Sequence, residues 1–402
     1  MYKLLSGYRI VEGAAFIAGP SCGLHLAQMG AEVIRFDTIG GGPDSKRWPL
    51  APDGSSLYWE GLNKGKKSIA IDLRSAEGRE LACAIATAPG DNAGMFLTNY
   101  PVNGFLSHEA LAARRSDLIT VRVMGWPDGA PAVDYTVNAA VGIPLMTGPA
   151  EDERPVNHVL PAWDLLGGAY AAFAMSAALL KRQATGKGAD IRIPLSDLAA
   201  TSLGHMGNVA EVLSQGDRPR MGNELYGAFG RDFVCADGVR LIVVAITAKQ
   251  WRGLVNVLGL ETEIAAIETD LGLSFAKDEG LRFVHRERLL PLFDRAFAAH
   301  NSASLGARFD KQGVTWGPYQ TLRQAVTSDP RLFTENPQFQ TIAHPSGLDY
   351  PAAGPPATLA GEAREDLRSA PRLGQHTDEV LASVLGLDSG AIGALHDKGV
   401  VG

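Results

Sequence analysis

Cysteine is scarce in this chain: Cys22, Cys83 and Cys235 are its only three in 402 residues. They are odd in number, far apart and in no CxxC pair. That excludes a disulfide framework and a thiolate zinc site, and predicts a reducing, cytoplasmic setting. The nine histidines form no HxH or HxxxH pair, so no metal is expected. A phosphate-binding GxxxxGK[ST], a GxGxxG after the first strand, a GxSxG elbow and an HExxH helix are all missing. Long apolar runs are missing too. The longest uncharged apolar stretch, Leu165 to Leu180, falls short of the roughly 20 residues a spanning helix needs. It predicts a core helix and no membrane partner. MYKLLSGYRIVEG places Lys3, Arg9 and Glu12 before any apolar run of signal-peptide length, so export is not expected. Positive charge is in deficit, 37 Lys+Arg against 44 Asp+Glu for a net charge of -7. A nonspecific nucleic-acid partner is therefore not expected, and any polyanionic ligand must meet a local basic patch.

What is present is a globular composition, 46% hydrophobic and 20% charged, long enough for two domains. The first 125 residues alternate β-branched runs (YRIVEG, AEVIRF, KSIAIDL, GMFLTN, DLITVRVMG) with helical segments. Such alternation predicts an α/β fold with parallel strands and helical crossovers. The strands read apolar on both faces, as buried parallel strands do. A helix from Asp164 to about Arg182 ends at TGKG, where glycine suits a C-cap. After the polar linker SQGDRPRMGN, FVCADGVRLIVVAIT reads as a hairpin closed by Asp-Gly, and amphipathic helices follow to about Ala307. Two short helices close the chain. The expected organisation is residues 1–214 in a large domain, 215–335 in a smaller α+β domain, and 336–402 returning to the first.

Two constellations bear chemistry. In PAWDLLGGAYAAF, Asp164 stands where an apolar helix begins, and capping is the plain account of an aspartate there. Gly167 and Gly168 in the first turn each cost about 0.5–1 kcal/mol relative to alanine, which suggests that something approaches the backbone closely. A helix N-terminus favours an ionised carboxylate and offers free N–H groups, the setting of a carboxylate nucleophile beside an oxyanion stabiliser. In NKGKKSIAIDLR, Lys64, Lys66, Lys67 and Arg74 gather positive charge around a strand. They are either a solvated turn or a site for a phosphate-bearing ligand.

YRIVEGAAFIAGPSCGLHLAQMGAEVIRFD, NKGKKSIAIDL, the Asp164–Gly168 segment, MGNELYGAFGRDFVCADG, GVTWGPYQTLRQAVTSDP and APRLGQHTDEVL together resemble the class III CoA-transferase family, from Gly7 to Val401. The resemblance implies a Rossmann-like large domain formed by both chain ends, a smaller middle domain, and a homodimer of interlocked subunits. It implies an acyl-CoA substrate and no cofactor beyond the CoA moiety. The family's catalytic aspartate falls on Asp164, and its CoA contacts on Phe16, Ile17, Ile71, Arg74, Asn99 and Tyr100. Thr38 and Ala132 stand where some members carry an arginine and a lysine. A finer resemblance in GGGPDSKRWP, VNHVLPAWD and GNELYGAFGRDF implies intramolecular transfer, with CoA moving between the two carboxyls of mesaconate. Arg47, His158 and Arg231, in those blocks, are the expected clamps on the free carboxylate. Transfer to a separate acid remains an alternative. A racemase is another, although Val133 occupies the position of its histidine, and a noncatalytic acyl-CoA-binding protein is a third.

Overall fold

A computed structural model describes residues 1–402. Its chain divides into two units: Met1–Val141, His158–Ser214 and Pro330–Gly402 form the first, Gly142–Asn157 and Gln215–Asp329 the second. The return to the first unit begins at 330 rather than 336. Residues 142–157, expected in the large domain, belong to the second unit. Within them the carbonyls of Leu145 and Asp152 accept from Arg220.

The first unit is built on strands β1 (Arg9–Gly13), β2 (Glu32–Asp37), β3 (Lys67–Ala70), β4 (Met95–Thr98), β5 (Ile119–Met124) and β6 (Ala189–Pro194). They form one sheet in the order β3-β2-β1-β4-β5-β6, with every pair parallel. Alternate residues feed opposite faces. Ile10, Val33, Met95 and Leu97 pack on one side with α1 (Ala18–Gln28) and the long helix at 162–185. Val11, Ile34, Phe96 and Ile69 pack on the other with residues of the helices at 76–86 and 377–385. Both faces are covered, which is why these strands lack polar alternation. The helices, in chain order, are α2 (Leu57–Leu62), α3 (Ala76–Ala86), α4 (His108–Ala112), α5 (Asp134–Ala140), α6 (Ile143–Met146, second unit), α7 (Ala162–Thr185), α8 (Leu195–His205) and α9 (Asn208–Gln215).

The closing segment is threaded into the first unit. His376 N donates to Ser68 O at 2.9 Å and Gly402 N to Ala70 O at 3.1 Å, while Ile71 pairs with Val401. The second unit holds the expected hairpin, β7 (Phe229–Val234) and β8 (Arg240–Ala245), extended by β9 (Thr315–Pro318). Its core is aromatic, around Phe229, Phe233, Trp251, Phe293 and Phe297.

Helix α7 runs 24 residues and ends at Gly186 in the left-handed conformation, as TGKG suggested. It is longer than expected and long and apolar enough to cross a membrane by length and composition, but only 33% of that apolar window is buried. The reading of Leu165–Leu180 as a core helix holds for one side, where Ala171, Ala174, Met175, Ala178 and Leu179 join the core. One side packs on α1, and Leu166, Tyr170, Phe173 and Leu180 stay exposed on the other.

Candidate active site

In an open parallel sheet, ligands bind beyond the carboxyl ends of the strands where the strand order reverses. Here the reversal lies between β1 and β4. A cavity of about 550 Å³ opens there, lined by Phe16 after β1, Asn99 and Tyr100 after β4, Gly125 and Val133 after β5, and Asp164.

The loop after β1 is held in an uncommon shape. Phe16 is the one non-glycine residue with positive φ, +68°, a conformation that costs on the order of 1–3 kcal/mol and must be held by its surroundings. Asn99 grips Ala15 on both sides, accepting from its N–H at 3.1 Å and donating to its carbonyl at 2.8 Å. Asp44 Oδ1 accepts from Phe16 N at 2.8 Å. The loop after β4 is tied from beneath by buried Arg122, which donates to the carbonyls of Tyr100, Pro101 and Leu106.

Asp164 is the third residue of α7, and the structure decides against its being the cap. That role belongs to Asp134, buried at the start of α5. Its Oδ2 accepts from Trp163 N at 2.7 Å and from Asp164 N at 3.1 Å, and its Oδ1 lies 2.5 Å from His158 Nε2. The Asp164 carboxylate itself holds no hydrogen bond or ion pair. Burial first, and then the negative charge of Asp134, push its pKa up to about 6 against the pull of Arg47. A poorly solvated carboxylate with no internal partner, facing a cavity, has the chemical setting a nucleophile needs.

A model of CoA-transferase family III matches residues 5–377. The chain belongs to this family. It is accordingly an enzyme acting on CoA esters. It is 47% identical over its whole length, and over 98% of the relative, to the 2-methylfumaryl-CoA isomerase of Chloroflexus aurantiacus. It is 28% identical to human succinyl-CoA:glutarate CoA-transferase, covering 99% of this chain and 90% of that one. A CAIB/BAIF family protein from Brucella suis superposes with a TM-score of 0.76 at 24% identity, over 96% of this chain and all of that one, and shares its fold.

Of the CoA-contact positions expected of a family III transferase, Phe16, Asn99 and Tyr100 line the cavity with Asp164. Ile17 is the N-cap of α1, and Arg74 is an exposed residue beyond β3, bonded to Asp72. Ile71 is fully buried and gives its N–H to Asp37, so its side chain is core and not contact. The two lysines are corrections. Lys66 is buried, with Nζ bonded to Glu12 at 2.8 Å, Pro20 O at 2.8 Å and Asn63 at 3.0 Å. Lys67 opens β3, at the amino end of the sheet and away from the cavity, and pairs with Glu32 and Glu379. Lys66 is therefore closed to a phosphate, and Lys67 lies away from the cavity that Asp164 faces.

Gly167 and Gly168 are corrected as well. Both are buried. A Cβ on Gly168 would collide with Ser21 and come within 2.8 Å of Ala18 O, and one on Gly167 would lie 3.0 Å from Leu195. What approaches this backbone is α1 at Gly168 and α8 at Gly167, so both glycines make room for helix packing.

Among the expected clamps, Arg47 is close enough to Asp164 to lower its pKa, while His158 is linked to it through Asp134. Arg231 belongs to the second unit, where it pairs with Asp294 and lies over Phe233. Asp134 and Asp44 escaped the sequence reading. Each resembles an ordinary local cap, and nothing nearby in sequence shows that its partner is 30 or 28 residues away.

Proposed function

We propose that the chain isomerises 2-methylfumaryl-CoA by moving CoA between the two carboxyls of the same acid, with Asp164 as the covalent nucleophile. The observation that carries this reading is the Asp164 carboxylate, relieved of capping by Asp134 and unpaired beside a cavity at the strand-order reversal. The 47% identity to an enzyme of that name supports the substrate.

In the proposed sequence the Asp164 carboxylate attacks the thioester carbonyl, giving a mixed anhydride and CoA thiolate. The thiolate attacks the aspartyl carbonyl, giving an aspartyl-CoA thioester and the free dicarboxylate. The acid's other carboxylate then attacks the aspartyl thioester, and the same two steps run backwards to return Asp164 and the isomeric thioester. Each step exchanges one activated carbonyl for another, so no ATP or added cofactor is required. A trapped acid meets the aspartyl thioester at an effective concentration far above that of free acid. Labelled free 2-methylfumarate added during isomerisation should therefore stay out of the CoA product. Rapid entry of label would favour transfer to a separate acid, the chemistry named for the 28% identical relative. A racemase is disfavoured by Val133, an apolar residue at the cavity where that chemistry needs a histidine.

The exposed apolar side of α7, formed by Leu166, Tyr170, Phe173 and Leu180, supports a homodimer in which a second copy covers it. Scattered apolar residues need no explanation, whereas a contiguous face does. Sedimentation at twice the chain mass is expected, with Phe173→Asp shifting the protein towards monomer. A wild-type monomer at micromolar concentration would rule the dimer out. The three cysteines are all buried and unpaired, which supports a reducing, cytoplasmic location.

A further inference from the structure

Two groups that no carboxylate pairs with, the Tyr58 hydroxyl and the Arg47 guanidinium, stand side by side near Asp164, and the reaction as described uses neither. Tyr58 is the second residue of α2, a one-and-a-half-turn helix started by Ser56, whose hydroxyl accepts from Trp59 N at 3.1 Å. The same hydroxyl donates to Arg47 O at 2.6 Å, which fastens the 47–56 loop against the helix. Trp59 anchors α2 from its other side by donating Nε1–H to Pro371 O at 2.8 Å. The Tyr58 ring is therefore placed by main-chain bonds that do not involve its own oxygen.

That oxygen is buried and has no hydrogen-bond partner, although a buried hydroxyl left unpaired is costly and most find one. Arg47 lies over the Tyr58 ring, 5.2 Å from its centre, and over the Phe16 ring at 5.6 Å. Its guanidinium is exposed and bonded to no carboxylate. Stacking between two rings restrains a long side chain without consuming its donors. Phe16 in turn lines the cavity that Asp164 faces. Burial, and then the charges of Asp44 and Asp164, keep the phenol protonated, so at neutral pH it donates.

We infer that Tyr58 Oη and the Arg47 guanidinium form a carboxylate-binding subsite that holds the substrate carboxyl not joined to CoA. A carboxylate would give the orphan hydroxyl its acceptor and the arginine its counter-charge. It would also sit within reach of the Asp164 adduct, as retention of the released acid between half-reactions demands. Trp48 and Pro49, which follow Arg47, are exposed and bring no competing acid. Tyr58 is thus a specificity-determining residue for acyl-CoA thioesters carrying a second carboxyl. This assignment rests on the intramolecular reading above.

The test uses the full-length protein and Tyr58→Phe, which keeps the ring under Arg47 and removes one oxygen. During turnover of unlabelled 2-methylfumaryl-CoA with labelled free 2-methylfumarate, wild type should exclude label. Tyr58→Phe should let label into the CoA product, because losing a hydrogen bond to a charged group weakens retention about ten- to a hundredfold. Arg47→Gln should leak at least as much. A variant that is slower yet excludes label as wild type does would overturn the subsite while leaving the intramolecular reading intact. Label entering with wild type would overturn that reading itself. A loss of turnover from misfolding would slow both isomers' interconversion without changing the labelled fraction, so the partition separates positioning from stability.

Discussion

Asp164→Ala is expected to lose turnover by about 10⁴-fold or more, as removal of a covalent nucleophile does, while its unfolding midpoint stays at or above that of wild type. Hydroxylamine added during turnover should leave a hydroxamate on the wild-type aspartyl thioester and none on the variant. The acid limb of kcat/KM should lie near pH 6, because only the ionised carboxylate attacks and its pKa is pushed up to about 6. The same shift has a consequence for stability. A folded pKa above the ordinary 3.8 means that this group's contribution is fully present below about pH 4 and is lost as pH rises through about 6. About two pKa units correspond to roughly 3 kcal/mol. Asp164→Asn should therefore gain stability over wild type as pH is raised from 4 to 7, and an advantage independent of pH would contradict the buried-carboxylate account. Substantial turnover in Asp164→Ala would end the proposed mechanism.

The second large effect is structural. Lys66→Ala should destabilise the protein by about 3–5 kcal/mol, since breaking a buried ion pair leaves its partner charged and unpaired. Glu12 and Arg35 are fully buried, and Asp37 and Asp44 nearly so. Arg35 reaches Asp37 and Asp44 at 2.8 and 2.9 Å. Lys66 is the second cation of this set, and its bonds to Glu12 run through space that Gly23 leaves open. Lys67→Ala, whose partners Glu32 and Glu379 are partly solvated, should cost less than about 1 kcal/mol. Denaturant midpoints check both. The KM for the CoA ester should change in neither variant at temperatures where it stays folded. A raised KM with no loss of stability would return Lys66 to a phosphate site.

The lysines show where the sequence stopped being legible. A charge run next to a strand looks the same whether it is solvated or buried. Burial depends on Glu12, 54 residues away, arriving on β1. The α/β alternation, the Asp-Gly hairpin and the helix stop at Gly186 were legible because each is a local pattern answering to local geometry. Asp164 was visible as an aspartate at a helix start, but its freedom from capping depends on Asp134 reaching across from α5. Gly167 and Gly168 were correctly read as marking a close approach, and the partner was misjudged because helix and substrate leave the same trace. Tyr58 carried no signal at all. A tyrosine becomes notable only when its oxygen has nowhere to bond.

The join between Ile71 and Val401 also bears on how the molecule comes to exist. Residues 70–71 and 401–402 meet across most of the chain's length, and the ordering cost of such a closure rises with the logarithm of the loop it encloses. Contacts of this separation form slowly. During synthesis at about 5–20 residues per second, β3 leaves the ribosome well before the segment that covers it. For that interval the apolar side chains of Ile69 and Ile71 lack the partners that bury them in the finished unit, and the early product is an incomplete sheet open to aggregation.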